Sequence, residues 1–218
     1  MRRGYDTVAS FYDALAGLIF GDVQLQAQEY LLSHIPPNSN VLIVGGGSGW
    51  ILDAINKLHP SGLTITYIDA SRGMMALAKQ RATAGHSITF IADSIENIKL
   101  GDGSFDIVIT PFLFDNFTAP DCKSIFVKLH KALNGNGAWL FADFRQPVLW
   151  KHKLLLKTMY LFFGIIAGIK AKQLPGTDSL FAEAGYTQVA QREYWDGFIS
   201  AMVYEHHVQK NNSKFWKE

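Results

Sequence analysis

Residues 41–49 read VLIVGGGSG, an apolar run that leads directly into a glycine-rich turn. A helical pattern begins at Trp50, so the stretch predicts a strand, a tight turn and a helix. Glycines at 45, 47 and 49 permit positive φ and let a ligand approach the backbone without meeting a Cβ. We therefore expect a nucleotide-containing ligand at this turn. A dinucleotide-binding turn would need its third glycine at position 50, which is Trp50 here.

Length and composition restrict the class of protein. The chain has 218 residues, 48% of them hydrophobic, so we expect one domain with one substantial core. The 20 basic and 19 acidic residues give a net charge of +1, which predicts no nucleic-acid partner. The single cysteine, Cys122, excludes an internal disulfide and a zinc knuckle, and no metal site is expected. The start of the chain lacks an apolar secretory core, which predicts a cytoplasmic protein.

Alternating segments after Val41 predict an α/β fold. Strands are expected at residues 40–44, 63–68, 87–91, 105–110 and 137–143, with helices at 50–58, 72–84 and 120–133. Strands joined by helices form a parallel sheet that is covered on both faces. The strands are near-continuous apolar runs, as burial on both faces requires.

The last third of the chain has a different pattern. It predicts a long helix at 151–171, a short helix at 177–184, and strands at 187–195 and 198–207. Asp196-Gly197 separates these strands and favours a hairpin, so a parallel sheet should end in an antiparallel pair. The longest uncharged apolar run, residues 158–169, is shorter than the ~20 residues that span a bilayer. Lysines flank this run, which leaves room for a helix that lies on a membrane surface.

Acidic residues follow the second and third strands, at the edge where open α/β sheets bind ligands. Asp69 lies 20 residues after Gly49, where a carboxylate can accept hydrogen bonds from ribose hydroxyls. Alternatively, Asp69 or Ser71 caps the following helix. Asp93 can accept a hydrogen bond from an adenine amino group, or it is an ordinary turn aspartate. Asp106 starts the fourth strand and should lie at the wrong end to contact a ligand.

Five motifs, in order, resemble those of class I S-adenosylmethionine (SAM)-dependent methyltransferases, most closely the ubiquinone and menaquinone biosynthesis (methyltransferase type 11) group. They are VLIVGGGSG from Val41, IDAS from Ile68, IADS from Ile91, SFDIV from Ser104 and LNGNG from Leu133. The segment 5–13 resembles the part of that group that closes over the cofactor. The resemblance covers roughly residues 4–208.

This resemblance implies a three-layer α/β/α Rossmann-like sandwich, whose seven-stranded, mostly parallel sheet has an antiparallel last strand. It implies a single methyltransferase domain over residues 1–218. Residues 1–38 would form an amino-terminal helical cap, 39–145 the SAM-binding core, 146–175 a helical insertion or lid, and 176–210 a helix and a β-hairpin.

The resemblance also implies a set of cofactor contacts. The turn would surround the methionyl part of SAM, the second strand would end at the ribose and the third at the adenine. Thr110 and Pro111 would lie near the methyl-donor end, and Tyr5 and Tyr12 would belong to the lid. The full set is Gly45, Gly46, Gly47, Ser48, Gly49, Asp69, Ala70, Ser71, Asp93, Ser94, Thr110, Pro111, Tyr5 and Tyr12.

Two positions depart from the family pattern. Members commonly carry an acidic residue two positions before the first glycine, and this chain has Ile43. Weaker SAM binding, or substitution by another group such as Asp13, is therefore expected. The segment after the fourth strand, Thr110-Pro111-Phe112-Leu113, only half matches the motif of one subgroup of amino methyltransferases, so a nucleobase or glutamine amide acceptor is not inferred.

Methyl transfer from a sulfonium is an in-line displacement, in which proximity and alignment supply most of the catalysis. A general base is needed only where the acceptor must lose a proton. The candidates are Asp143, Asp115 and His152. Asp143 ends the fifth strand at the ligand edge, although it could instead cap a helix or pair with Arg145. His152 could instead be a surface histidine of its helix.

The amino-terminal segment and residues 148–170 hold more apolar side chains than one helix stripe needs. This excess predicts an apolar pocket or a lipid-facing lid, or else a packing helix or a dimer interface. We therefore expect a methyltransferase that converts SAM to S-adenosylhomocysteine and methylates a small, apolar or aromatic acceptor. The alternatives are a methyltransferase-fold binding or assembly protein without turnover, and an NAD-dependent oxidoreductase, which Trp50 disfavours. The oligomeric state is not predicted.

Overall fold

The computed structural model describes residues 17, 19–82, 84–166 and 168–206. The predicted lid residues Tyr5 and Tyr12, and Asp13, lie outside these ranges. One sheet contains β1 (Asn40–Val44), β2 (Thr64–Ile68), β3 (Ser87–Ile91), β4 (Phe105–Pro111), β5 (Leu133–Phe144), β6 (Tyr186–Tyr194) and β7 (Ile199–His206). The strand order is β3-β2-β1-β4-β5-β7-β6.

Helices cover both faces of this sheet. The described ranges contain α1 (Val23–Leu32), α2 (Trp50–Leu58), α3 (Arg72–Gln80), α4 (Ala119–Ala132), α5 (Trp150–Ile166) and α6 (Thr177–Glu183). Buried side chains of α1, α2 and α3 share one apolar cluster with the sheet. Those of α4 and α6 share a second cluster on the opposite face. The predicted three-layer sandwich is therefore confirmed.

The direction of the strands creates a crevice at one edge of the sheet. Strand β1 pairs in parallel with both β2 and β4, so the strand order reverses between β1 and β4. Ligands of open α/β sheets bind at such a reversal, beyond the carboxyl ends of the strands. Strand β7 runs antiparallel to its neighbours β5 and β6, which confirms the predicted antiparallel last strand.

The turn between β6 and β7 follows from its sequence. The Phe198 N–H donates to the Trp195 carbonyl oxygen at 3.0 Å, which closes a four-residue turn. The two central residues, Asp196 and Gly197, have φ of 53° and 77°. Positive φ at both positions is the pattern of a type I′ hairpin turn, for which Asp-Gly is a preferred pair.

Helix α5 is shorter than its sequence pattern predicts, because it ends at Ile166 rather than at 171. Gly168 has a φ of 66°, and the Ile169 N–H donates to the Phe163 carbonyl oxygen at 3.3 Å. The glycine therefore turns the chain back before the apolar run ends. No helix within the described ranges is long and apolar enough to cross a membrane.

Candidate active site

A pocket lies beyond the carboxyl ends of β1 to β4, beneath α5. Six of the predicted cofactor-binding residues line it: Gly45, Gly47, Asp69, Ala70, Asp93 and Ser94. Its remaining walls are mostly apolar and come from the segment before α1, the start of α3, the residues after β4, the end of β5, and α5 with the residues after it. They include Ile19, Phe20, Met74, Phe112, Leu113, Phe144, Leu156, Met159, Tyr160, Phe163 and Ile169.

The backbone of Gly47 is held in place from two sides. Its N–H donates to Asp69 Oδ2 at 2.9 Å, and its carbonyl accepts a hydrogen bond from the buried Tyr67 hydroxyl at 3.0 Å. Gly47 has a φ of 61°, and a Cβ built on it would have no atom within 4 Å. The turn therefore leaves open space at Gly47 that only a residue without a side chain preserves. The sequence did not indicate the contribution of Tyr67.

The other residues of the turn contribute to packing. A Cβ on Gly46 would lie 2.3 Å from the Tyr67 hydroxyl oxygen, and one on Gly49 would lie 2.7 Å from the Ala78 Cα of α3. Ser48 is buried and does not line the pocket. Gly46, Ser48 and Gly49 thus shape the turn from behind, whereas Gly45 and Gly47 face the pocket.

Asp69 and Ser71 have different roles at the start of α3. The Ser71 hydroxyl accepts a hydrogen bond from the Met74 N–H at 3.1 Å and caps the helix. Asp69 Oδ1 accepts a hydrogen bond from the Ser71 N–H at 2.8 Å, while the residue lines the pocket. The Asp69 side chain therefore connects the glycine turn to the cap of α3 at the wall of the pocket.

Asp93 makes the hydrogen bonds of a turn aspartate and also lies at the pocket wall. Its Oδ1 accepts hydrogen bonds from the Ser94 N–H at 2.6 Å and from Asn97 Nδ2 at 2.8 Å, as a turn aspartate does. Asp93 and Ser94 also line the pocket. The Ser94 hydroxyl donates to the carboxylate of Glu96. The turn after β3 is thereby held in a defined shape at the pocket wall.

The pocket wall after β4 differs from the prediction. Thr110 is fully buried, and its Oγ1 accepts a hydrogen bond from Trp139 Nε1 at 2.9 Å on the α4 face. Phe112 has a φ of 52°, which is uncommon for an aromatic residue. The chain turns there, so Phe112 and Leu113 line the pocket in place of Thr110 and Pro111.

Two carboxyl groups interact at the floor of the pocket, one on its surface and the other buried behind it. Asp143 Oδ2 accepts a hydrogen bond from the Phe114 N–H at 3.1 Å, and Oδ1 accepts one from the Phe144 N–H at 2.8 Å. Burial raises the pKa of Asp143 to about 7. Burial and the neighbouring charge of Asp143 raise the pKa of Asp115 well above its usual range. Only Asp115 of the two lines the pocket.

Tyr160 adds a hydroxyl group to the part of the pocket wall that α5 forms, which is otherwise apolar. Its hydroxyl oxygen is buried and has no hydrogen-bond partner among the described residues. Burial, followed by the charges of Asp115 and Asp143, raises the pKa of this phenol. Tyr160 lines the pocket from α5, so the hydroxyl is available to a ligand with a hydrogen-bonding group. The sequence pattern had indicated only an apolar contribution from Tyr160.

Other predictions for candidate residues change with the structure. His152 is 3% exposed and stacks on Phe198 with ring centroids 4.8 Å apart, so it is neither a surface residue nor a residue of the pocket wall. Arg145 pairs with Asp178 at 2.5 Å rather than with Asp143. Asp106 accepts hydrogen bonds at the opposite end of β4, as expected.

Ile43 lies away from the pocket wall. Its side chain is fully buried in the cluster between the sheet and α1, and it is aligned with Tyr67 on β2 and Ile109 on β4. A carboxylate at this position would be surrounded by apolar side chains, which raises the free energy of a charged group. Ile43 therefore fits the core that surrounds it.

Comparisons with known proteins agree with this geometry. Residues 41–137 match the family described as "Methyltransferase domain". The chain is 29% identical over 170 residues to an uncharacterized methyltransferase of Synechocystis sp., covering 77% of this chain and 76% of that protein. It is 28% identical over 182 residues to a ubiquinone/menaquinone biosynthesis C-methyltransferase of Geotalea daltonii, covering 78% and 77% respectively.

A solved structure shows the same fold. The 1,6-didemethyltoxoflavin-N1-methyltransferase of Burkholderia thailandensis, with 1,6-didemethyltoxoflavin and S-adenosylhomocysteine bound, aligns with a TM-score of 0.65. The alignment covers 93% of this chain and 86% of that chain at 15% identity. The sequence motifs, the methyltransferase domain matched at residues 41–137 and the named relatives support one assignment, a SAM-dependent methyltransferase, and the order of the strands is that of the fold which the solved methyltransferase structure shares.

Proposed function

We propose that this methyltransferase moves the methyl group of SAM, by in-line displacement, to a small apolar or aromatic acceptor in the pocket beneath α5. The observation that carries the proposal is the continuity of the pocket, which joins the glycine turn to an apolar chamber with a polar floor. A cofactor at the turn and an acceptor in the chamber would share one enclosed space. A cytoplasmic location belongs to the same proposal.

The residues at the turn fit SAM in shape and charge. The open space at Gly47 accommodates the methionyl part, and the Asp69 carboxylate can accept hydrogen bonds from the ribose hydroxyls. Asp93 and Ser94 line the same pocket, which supports a contact of these residues with the adenine. When bound, SAM supplies an electrophilic methyl group on a sulfonium. The protein's part is to align the acceptor with that methyl group and to exclude water.

The acceptor chamber is apolar except at its floor. Phe112, Phe144, Met159 and Phe163 provide aromatic and aliphatic walls, which suit a ring system or an alkyl chain. Asp115 and Asn116 line the polar end of the chamber, and the charge of Asp115 reaches the phenol hydroxyl of Tyr160, whose pKa it raises. An acceptor with one hydrogen-bonding group would satisfy that hydroxyl while its apolar body lines the walls.

The carboxyl pair can handle a proton. Two carboxyl groups at this proximity share protons, because burial and mutual repulsion disfavour two charges. Burial and the charge of Asp143 raise the pKa of Asp115, which makes its carboxylate a stronger base for a proton from an acceptor hydroxyl or an activated carbon. Asp143 is positioned by two backbone N–H groups and tunes Asp115 from behind.

The proposed binding of SAM at the glycine turn is tested by calorimetry with SAM. Asp69→Ala should weaken SAM binding by at least about tenfold, because the ribose hydroxyls lose their acceptor and Gly47 loses a support. Asp22→Ala is the matched control, since Asp22 is exposed and its side chain makes no capping hydrogen bond. Unchanged affinity in Asp69→Ala would remove the ribose assignment.

The proposed methylation of an apolar acceptor is tested by measuring turnover with a panel of phenolic, quinol and aliphatic acceptors. Asp115→Asn should lower kcat by about 100-fold on acceptors that lose a proton, and Tyr160→Phe should mainly raise KM. Both variants should keep SAM affinity. Asp102→Asn, in an exposed turn, is the control. Full turnover in Asp115→Asn would exclude Asp115 as the base.

A further inference from the structure

Helix α5 has a second apolar face, which points away from the pocket. Trp150, Leu154, Leu161 and Ile165 are 77%, 58%, 67% and 75% exposed. At 100° per residue these four positions fall within about 60° of arc, so they form one stripe along the helix. The residues that line the pocket, such as Leu156 and Tyr160, are not part of this stripe. We call the four residues the outer stripe.

The outer stripe is the main concentration of exposed apolar surface in the described chain. The described chain has nine exposed large hydrophobic residues, and six of them lie at 148–165. These six are the four residues of the outer stripe and, just before it, Val148 and Leu149. The other three, Trp50, Leu58 and Val189, are on separate elements. Single exposed apolar residues are ordinary, whereas a contiguous patch indicates an interaction surface.

The segment that carries the outer stripe has charged residues of one sign only. No acidic residue occurs between Asp143 and Asp178. The same segment carries Arg145 and five lysines, at 151, 153, 157, 170 and 172, all of the lysines exposed. Lys151 forms an ion pair at 3.0 Å with Asp196. On the helix, Lys153 and Lys157 lie along one side of the stripe, where their charged ends extend beyond the apolar surface.

We propose that α5 docks on an anionic membrane surface through the outer stripe. A helix with an apolar stripe, a terminal tryptophan and flanking lysines lies in the plane of a bilayer interface, with the lysines at the anionic headgroups. The 17 residues of α5 are too few to span the bilayer, so the contact is peripheral.

The charge of the lysines also favours an anionic membrane over a second copy of the chain as the partner of the outer stripe. In a two-fold symmetric contact the same patch faces itself. Two α5 helices packed along the stripe would bring Lys153 and Lys157 of both copies together, with no carboxylate on either helix to balance them. A negatively charged surface balances the lysines, and a fluid apolar layer accepts the stripe.

The docking has a consequence that rests on the proposed function. The inner face of α5 lines the pocket and the outer stripe would contact lipid, so one helix separates an apolar acceptor in the bilayer from the methyl donor site. An acceptor that partitions into lipid would then reach the pocket around α5. The docking itself does not require this activity.

The test is co-sedimentation of the full chain with vesicles of phosphatidylcholine alone or mixed with phosphatidylglycerol. We expect binding to the mixed vesicles, weaker binding at high salt, and a blue shift of tryptophan fluorescence. The double variant Leu161→Asp/Ile165→Asp should lose vesicle affinity by at least about tenfold. Lys153→Glu/Lys157→Glu should lose binding to the anionic vesicles.

The matched control is Leu58→Asp/Val189→Asp, which changes two exposed apolar residues away from α5 and should bind like the parent. SAM affinity, measured on the same samples, should be equal in all variants and verifies folding independently of lipid. Absence of parent binding to anionic vesicles, or unchanged binding in Leu161→Asp/Ile165→Asp, overturns the proposal. A dimer in sedimentation velocity that this variant dissociates would instead assign the stripe to a second copy.

Discussion

Gly47 combines a backbone requirement with a position at the pocket. Gly47→Ala should cost about 1 kcal/mol of stability, because an L residue is strained at its φ of 61°. The new methyl group would also occupy the space proposed for SAM, so SAM affinity should fall by at least about tenfold. Chemical denaturation and calorimetry measure the two effects separately.

Gly103 offers a matched control for this substitution. It has a φ of 60° and, like Gly47, no atom within 4 Å of a built Cβ, but it does not line the pocket. Gly103→Ala should lose similar stability and keep SAM affinity. Equal SAM affinity in the two variants would show that the space at Gly47 is not used by the cofactor.

The carboxyl pair predicts a pH dependence of stability. The pKa of Asp143 rises from 3.8 to about 7 on folding, so the folded protein keeps a proton that the unfolded chain releases in this window. Stability should therefore fall as pH rises from about 4 to about 7. Asp115 is coupled to this titration, and Tyr160, Cys122 and Arg145 also face the pair.

Asp143→Asn removes this titration. The free energy of unfolding of the variant, relative to the parent, should increase by about 3 kcal/mol between pH 4 and pH 7 and then level off. Urea denaturation at a series of pH values measures this difference. Asp102→Asn, in an exposed turn, is the control. A difference that does not change with pH would mean that Asp143 is charged throughout.

At the scale of elements, α3 begins at the edge of the pocket with a side-chain cap. Ser71→Ala removes the hydrogen bond to the Met74 N–H and should cost about 1 kcal/mol. SAM affinity should change little, because Ser71 is buried and does not line the pocket. Thr118→Ala, which removes the cap of α4, is the matched control for stability. A large loss of SAM affinity in Ser71→Ala alone would give Ser71 a cofactor role.

Elements also show where sequence patterns predict boundaries well and where they do not. The bounds of β1, α2 and β3 agree with the prediction, because an apolar run or a helical period starts and stops with clear turn residues. Helix α5 ends early because Gly168 adopts positive φ, although apolar residues continue to Ile169. A hydrophobic period alone does not reveal which glycine ends a helix.

At the scale of the whole molecule, a ligand that binds only the folded chain raises its stability. SAM at 100 times its dissociation constant should stabilise the protein by about 2.7 kcal/mol, and S-adenosylhomocysteine should also stabilise it. NAD should not, because Trp50 stands where a dinucleotide turn needs glycine. Thermal denaturation with each ligand measures these shifts. A shift with NAD that equals the shift with SAM would contradict the cofactor assignment.

The sequence by itself determined the fold, because glycine turns, apolar strands and the Asp196-Gly197 hairpin are local signals of backbone conformation, and its ordered motifs indicated the class of protein by resemblance. It also predicted that Asp69 and Asp93 lie together, since parallel strands end at one edge. The tertiary structure alone decided which side chains reach the pocket. The alternation of side chains along β4 directs Thr110 to Trp139 on the α4 face, and packing against Phe198 buries His152. The Asp115 and Asp143 pair, with Tyr160 above it, depends on distances between elements far apart in the chain, which no local pattern encodes.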